Sequence, residues 1–180
     1  SCDINTLTEN NIIAGYPDRT YKPSLPVSRA EMATLVVKGF NLNDDVSCPS
    51  NMFKDVPESH WANKTIAKAV ANGLMTGYPN NMFKPNQPIS RAEAFSIMAK
   101  GINCPMDECM ADKILNEYCD GNTVPNWAKV PVAKVLESGG ISEFPNPKEI
   151  APNKDASRAE IASLLENVRV AMGYSKTDDV

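Results

Sequence analysis

Three arginines recur in the tetrads Ser28-Arg29-Ala30-Glu31, Ser90-Arg91-Ala92-Glu93 and Ser157-Arg158-Ala159-Glu160. A guanidinium fork beside the N–H groups of a helix N-terminus suits a carboxylate or phosphate, so Arg29, Arg91 and Arg158 read as three anion-binding positions. A second reading pairs each arginine with a structural acid, such as Asp55 or a carboxylate of a neighbouring copy. Capping does not explain the arginine, since a cation in the first helical turn opposes the macrodipole by about 0.3–1 kcal/mol, yet it stands there in all three copies. Trp61 and Trp127 offer flat apolar platforms with a polar edge, suited to stacking on a sugar or to packing under a neighbour. His60 is the single histidine, which excludes chemistry built on a histidine pair and argues against a His-activated nucleophile. The repeated acids are accounted for by helix capping, so no catalytic residue is assigned and the chain reads as a non-enzyme.

These residues belong to an internal repeat. Gly15-Tyr16-Pro17 and Tyr21-Lys22-Pro23 precede the first tetrad, and Gly77-Tyr78-Pro79 and Phe83-Lys84-Pro85 precede the second at the same spacing. A worn third copy has Phe144-Pro145 and Ile150-Ala151-Pro152, and the tetrads recur at intervals of 62 and 67 residues. Upstream stand Phe53-Lys54-Asp55-Val56-Pro57 with His60-Trp61-Ala62, and in the third copy Val124-Pro125 with Trp127-Ala128; each Trp lies 12 residues before a glycine, Gly73 or Gly139. The first copy opens inside the equivalent helix, which suggests a chain cut or processed within a repeat.

Ser followed three residues later by Glu is a capping box, so long helices are expected to start at Ser28, Ser90 and Ser157. Met32, Leu35, Val36 and Phe40, then Phe95, Met98 and Ile102, then Ile161, Leu164, Leu165 and Val168 give each helix one buried stripe. The shorter preceding helices end at Asn11, Gly73 and Gly139, residue types that tolerate a left-handed helix terminus. Pro131 is at home only in a first helical turn, which puts Trp127 in the entry loop or at the helix mouth. No segment alternates over a strand's length. The expectation is an all-α fold of three helix-loop-helix repeats, arranged as a pseudo-threefold trimer around a central three-helix bundle.

The units read as 1–47, 48–102 and 124–174, with a Cys-bearing linker at 103–123 and a tail at 175–180. Lys22 and Lys84 recur but give way to Ala151, Gly15 and Gly77 give way to Glu143, and the third copy shows no clear counterpart of Asp55. A net charge of −4 over 180 residues lacks the footprint of a nucleic-acid binder. No apolar run approaches the roughly 20 residues of a membrane span, and the opening residues are unlike a signal peptide, so any targeting segment is read as already removed. Neither a cofactor nor a metal is expected: Cys104, Cys109 and Cys119 lack a fourth ligand and a CxxC pair.

Phe53 to Ala62, Gly73, Gly77 to Pro85 and Ser90 to Glu93 closely resemble the repeat of the S-layer homology (SLH) family, with Ser in place of the usual Thr. The resemblance implies grooves between repeats that bind a secondary cell-wall polymer, often through a pyruvylated sugar, or modified peptidoglycan, and so hold a surface protein non-covalently on the bacterial envelope. It assigns the groove to Arg29, Arg91, Trp61, Asp55, Gly15, Tyr16, Gly77 and Tyr78, and also to Trp127 and Arg158, with Lys22 and Lys84 as further candidates. One or two good grooves are expected, since the first copy lacks its opening segment and the third is worn. The alternative is a protein–protein assembly module of a surface layer, with other surface-layer chains as partners. An exported domain also favours disulfides: one pair within Cys104, Cys109 and Cys119, and Cys2 with Cys48.

Overall fold

The computed structural model describes residues 22–42, 52–141, 144 and 146–174. Expectations on Cys2, Gly15, Tyr16, Cys48, Glu143 and the helix ending at Asn11 lie outside the described residues. The described residues form six α-helices: α1 (Arg29–Gly39), α2 (Asn63–Ala71), α3 (Arg91–Met98), α4 (Glu108–Leu115), α5 (Lys129–Glu137) and α6 (Arg158–Ala171). They contain no strand, only isolated bridges: Pro26 to Ser157, Ser28 to Pro88 and Ser90 to Asp155 between the segments that enter the tetrad helices, and Tyr78 to Met82 within one loop.

All three capping boxes are formed. Ser28, Ser90 and Ser157 are the N-caps of α1, α3 and α6, and Glu31, Glu93 and Glu160 reach back to their backbone N–H groups at 2.8, 3.0 and 2.9 Å. The short helices α2 and α5 run on into Gly73 (φ 68°) and Gly139 (φ 79°), left-handed positions where glycine has no steric cost. Asn167 donates to the Gly139 carbonyl at 3.3 Å and the Lys100 ammonium to the Gly73 carbonyl, so each short helix is closed by the long helix of its own copy.

A ring of backbone hydrogen bonds ties the three copies together. Val27 N donates to Ala156 O, Ala156 N to Ile89 O and Ile89 N to Val27 O, each at 2.9 Å, and all three side chains are buried. The next N–H groups extend the pattern: Arg29 and Ala30 donate to the carbonyls of Gln87 and Pro85, Arg91 and Ala92 to those of Lys154 and Pro152, and Arg158 and Ala159 to those of Leu25 and Pro23. The first N–H groups of every long helix are therefore taken up by the loop of the next copy.

The predicted stripes form the core, with Leu35 at its half-buried margin. Helix α6 packs against both α1 and α3. A Cβ on Gly39 would stand 2.6 Å from Leu165 Cδ1, so α1 and α6 approach closely there. Each glycine-ended helix lies on the tetrad helix of the preceding copy, α2 on α1 and α5 on α3. The helix expected to be long at Ser90 is the eight-residue α3, which tightens into the 3-10 turn Ala99–Gly101 and is no longer than the nine-residue α2 and α5. Segment 103–123 contributes more than a linker: α4, capped by Asp107, buries Ala111 and Leu115 and packs on α5.

The expected disulfide within that segment is corrected. Cys104, Cys109 and Cys119 are free thiols; Cys104 Sγ faces the Pro105 carbonyl at 3.6 Å, Cys119 Sγ faces that of Lys148 at 3.4 Å, and Cys109 is exposed in the first turn of α4. Alkylation without reductant, read by mass spectrometry, is expected to label all three, with Cys109 and Cys119 ahead of half-buried Cys104. A protected pair among them would overturn this assignment.

Candidate functional site

The loop between short and long helix is built from its carboxylate. Asp55 accepts from the N–H groups of Phe83 (2.8 Å) and Lys84 (2.7 Å), holding Lys84 at φ 57°. Lys22 (φ 49°) and Ala151 (φ 46°) share that left-handed conformation, so the position is a turn in every copy, whatever its side chain. Asp120 does the same work in the third copy, accepting from Ile150 N (2.9 Å) and Ala151 N (2.6 Å). The third copy has therefore kept its aspartate, contrary to the sequence-based expectation.

Gly77 is explained by packing. A Cβ there would lie 2.2 Å from Phe53 Cε1, whose ring packs on Phe83 with centroids 5.3 Å apart. Tyr78 is held between two cations, Lys84 Nζ at 4.4 Å and the Arg29 guanidinium at 4.7 Å from its ring centroid, and its hydroxyl accepts from Gln87 at 3.1 Å. Asp55, Gly77, Tyr78, Lys84 and Arg29 thus form one cluster.

The arginines resolve in favour of the neighbouring copy's carboxylate. Arg29 Nη1 stands 3.7 Å from Glu93 Oε1, Arg91 Nη1 3.2 Å from Glu160 Oε1, and Arg158 Nη1 3.3 Å from Glu31 Oε1. Each tetrad arginine meets the tetrad glutamate of the next copy, and the series closes on itself. Backbone carbonyls complete two of the guanidinium sites: Arg29 donates to Phe83 O (2.9 Å) and Thr76 O (2.7 Å), and Arg91 to Glu149 O (3.1 Å). Arg91 and Glu160 are 4% and 6% exposed, which makes theirs the most deeply buried of the three pairs. Arg91 and Arg158 are accordingly corrected from anion-binding to structural positions, since neither presents free helix N–H groups or an unengaged guanidinium.

Burial pushes the Arg91 pKa down, against the opposing pull of Glu160, Glu149 and Asp120. Burial alone would raise the Glu160 pKa. The Ser157 N–H, Arg91 and Lys154, whose Nζ lies 3.3 Å away, together hold it below the ordinary carboxylate value.

Both tryptophans lie in solvent rather than under a neighbouring copy, with Trp127 at the helix mouth where Pro131 puts it. Trp61 is 65% exposed and stacked on His60, and Trp127 is 60% exposed in the turn before α5. The structure brings Trp127 and Arg29 together in a groove of about 220 Å³, completed by Thr76, Glu93, Ser96 and Lys100. The first copy supplies Arg29, the second the four polar edges and the third the indole. Trp61 lies apart, beside α2 where that helix packs on α1. A larger groove of about 600 Å³ runs between the first copy's Pro23–Pro26 segment and the third copy's Phe144, Lys154, Asp155 and Glu160. Sequence reasoning passed over Lys100, Thr76, Ser96 and Asp120. For Lys100 a signal existed, because Lys38 and Lys100 stand at the same offset from their tetrads.

No described helix is long and apolar enough to cross a membrane. The family model described as "S-layer homology domain" matches residues 3–33 and 53–95. Three named proteins are similar to this chain. Cell surface glycoprotein 1 of Acetivibrio thermocellus is 30% identical over 85% of this chain and 7% of its own length. The Cellulosome-anchoring protein of the same organism is 35% identical over 55% of this chain and 23% of its own length. The Surface-layer 125 kDa protein of Lysinibacillus sphaericus is 30% identical over 98% of this chain and 15% of its own length. The chain thus spans less than a quarter of the length of each of these relatives. With its capping-box tetrads, glycine-ended short helices and entry tryptophans all in place, the chain belongs to the S-layer homology domain family.

Proposed function

We propose that this chain is a non-catalytic anchoring module of the cell envelope that binds a wall glycan in its inter-repeat grooves and attaches a surface protein non-covalently. The observation that carries the reading is Trp127: a bulky indole left 60% exposed beside a groove edged by Thr76, Ser96, Glu93 and Lys100. An apolar platform flanked by hydrogen-bonding groups is the arrangement a pyranose ring requires. Relatives named for the cell surface, for a surface layer and for anchoring support the place of action. A secondary cell-wall polymer, pyruvylated or not, and modified peptidoglycan are the two candidate ligands.

Co-sedimentation with purified wall sacculi, before and after hydrofluoric acid strips the phosphodiester-linked polymer, tests the proposal. Trp127→Ala is the appropriate variant, because an exposed side chain can be removed without loss of core packing. Wild-type protein is expected to sediment with polymer-bearing sacculi, and Trp127→Ala to bind about tenfold or more weakly at unchanged melting temperature. Binding that survives acid treatment assigns the ligand to peptidoglycan. Failure of the wild type to bind any sacculus overturns the anchoring reading in favour of an assembly module.

A further inference from the structure

The contacts that join the three copies rest on the same groups. Each uses a tetrad arginine on a tetrad glutamate, together with one step of the ring of backbone hydrogen bonds. Nothing in these shared contacts tells one copy from another. A tetrad helix in the wrong place, or from a second chain, would find the same carboxylate and the same carbonyls, which is the hazard of tandem repeats.

The copies differ at the far end of the tetrad helices. Nine residues after the tetrad serine stand Val37, Ala99 and Glu166, and twelve residues after it Phe40, Ile102 and Arg169. The four apolar residues belong to the core. Glu166 and Arg169 are buried as deeply, at 3% and 5% exposed. They lie one turn apart on the same face of α6, so the third copy carries a carboxylate and a guanidinium where the other two carry hydrocarbon. Arg169 Nη1 donates at 2.8 Å to the carbonyl of Gly39, the last residue of α1 and the point where α1 and α6 approach closely. A helix C-terminus is the end that favours a cation. The Tyr174 ring covers the guanidinium at 4.7 Å, and the Tyr174 N–H donates to the Arg169 carbonyl at 3.0 Å. Gly101 holds the place of Gly39 in the second copy, but α3 has ended at Met98 and Gly101 closes a 3-10 turn instead. The two helix ends are therefore not interchangeable.

We infer that Glu166 and Arg169 set the order of the copies, admitting α6 beside the end of α1 and rejecting it elsewhere. In any other place Arg169 would be buried without the Gly39 carbonyl, and a buried charge that loses a partner is strongly unfavourable. Hydrocarbon at the same two positions would pack wherever a tetrad helix packs. The charged pair therefore acts on the choice between arrangements rather than on the stability of the one observed, as single buried polar residues do in fixing the register of coiled coils.

The double substitution Glu166→Ala with Arg169→Ile writes the second copy's residues into the third and separates order from stability. Its melting temperature is expected to equal or exceed that of the wild type, since well-packed hydrocarbon replaces buried charge without loss. Its assembly is expected to lose uniqueness. At equal protein concentration, size-exclusion chromatography with light scattering should show dimers and larger species increased about tenfold or more over wild type, and amide NMR should show more than one set of signals for the residues of α1. Arg169→Lys, which keeps a cation for the Gly39 carbonyl, is expected to keep the wild-type distribution. A folded double variant with the wild-type distribution and a single set of signals overturns the inference. Should that variant fail to fold, Glu166→Val with Arg169→Phe, the first copy's residues, is read by the same criteria. Loss of the folded state in both makes the pair an ordinary stability element and also overturns it.

Discussion

Arg91→Ala is expected to lower the unfolding free energy by about 3–5 kcal/mol, the cost of leaving one member of a buried ion pair alone. Glu160 is the member left behind. It is 6% exposed, and its two oxygens serve the Ser157 N–H at 2.9 Å, Arg91 at 3.2 Å and Lys154 at 3.3 Å. Removing Arg91 also releases the Glu149 carbonyl and uncovers the Phe144 ring, over which the guanidinium lies at 4.6 Å. Urea unfolding followed by circular dichroism measures the loss, and a change below about 0.5 kcal/mol, the level of a surface pair, would sink the structural role. The same pair gives the acid limb a direction. Because the folded Glu160 pKa is depressed below 4.5, its stabilisation is fully present above that pH and is lost as pH falls through the lower native value. Glu160→Gln is therefore expected to flatten the acid limb. A sugar-binding defect in an Arg91 variant would report folding before recognition.

Asp120→Ala is expected to cost about 2–3 kcal/mol, from two charge-assisted backbone hydrogen bonds discounted for partial exposure. Nothing else in the loop accepts from Ile150 N and Ala151 N among the described residues, and Ala151 sits at φ 46°, where an alanine stays only if held. Asp120 also adds to the negative field that favours the charged form of Arg91. Asp55→Ala is expected to behave alike in the second copy, acting on Phe83 N and Lys84 N. Amide hydrogen exchange at Ile150 and Ala151 gives the sharpest measurement: protection unchanged in Asp120→Ala would refute the assignment.

How far the site could be read depended on how local each device is. Capping boxes act over three residues, and all three appear where Ser and Glu predict them. Gly73 and Gly139 end their helices because a left-handed residue is a local demand, and Pro131 placed Trp127 at a helix mouth for the same kind of reason. Asp120 escaped because the third copy has one more residue between the aspartate and the Trp, so the Val-Pro pair of Val124 and Pro125 drew the alignment away from it. Lys100 escaped because a lysine late in an amphipathic helix ordinarily means solvent. Only the fold shows that it closes α2 and enters a groove.

The repeat, the helices with their caps and stripes, and the family were determined by sequence alone, since each depends on spacing along one copy. What the arginines do was decided by the tertiary structure. Their partners stand 64, 69 and 127 residues away in the chain, and an ion pair depends on distance through space, which spacing within a copy does not encode. Folding turned three apparent anion sites into mutual contacts between copies, and set Lys100 and Trp127 along one groove.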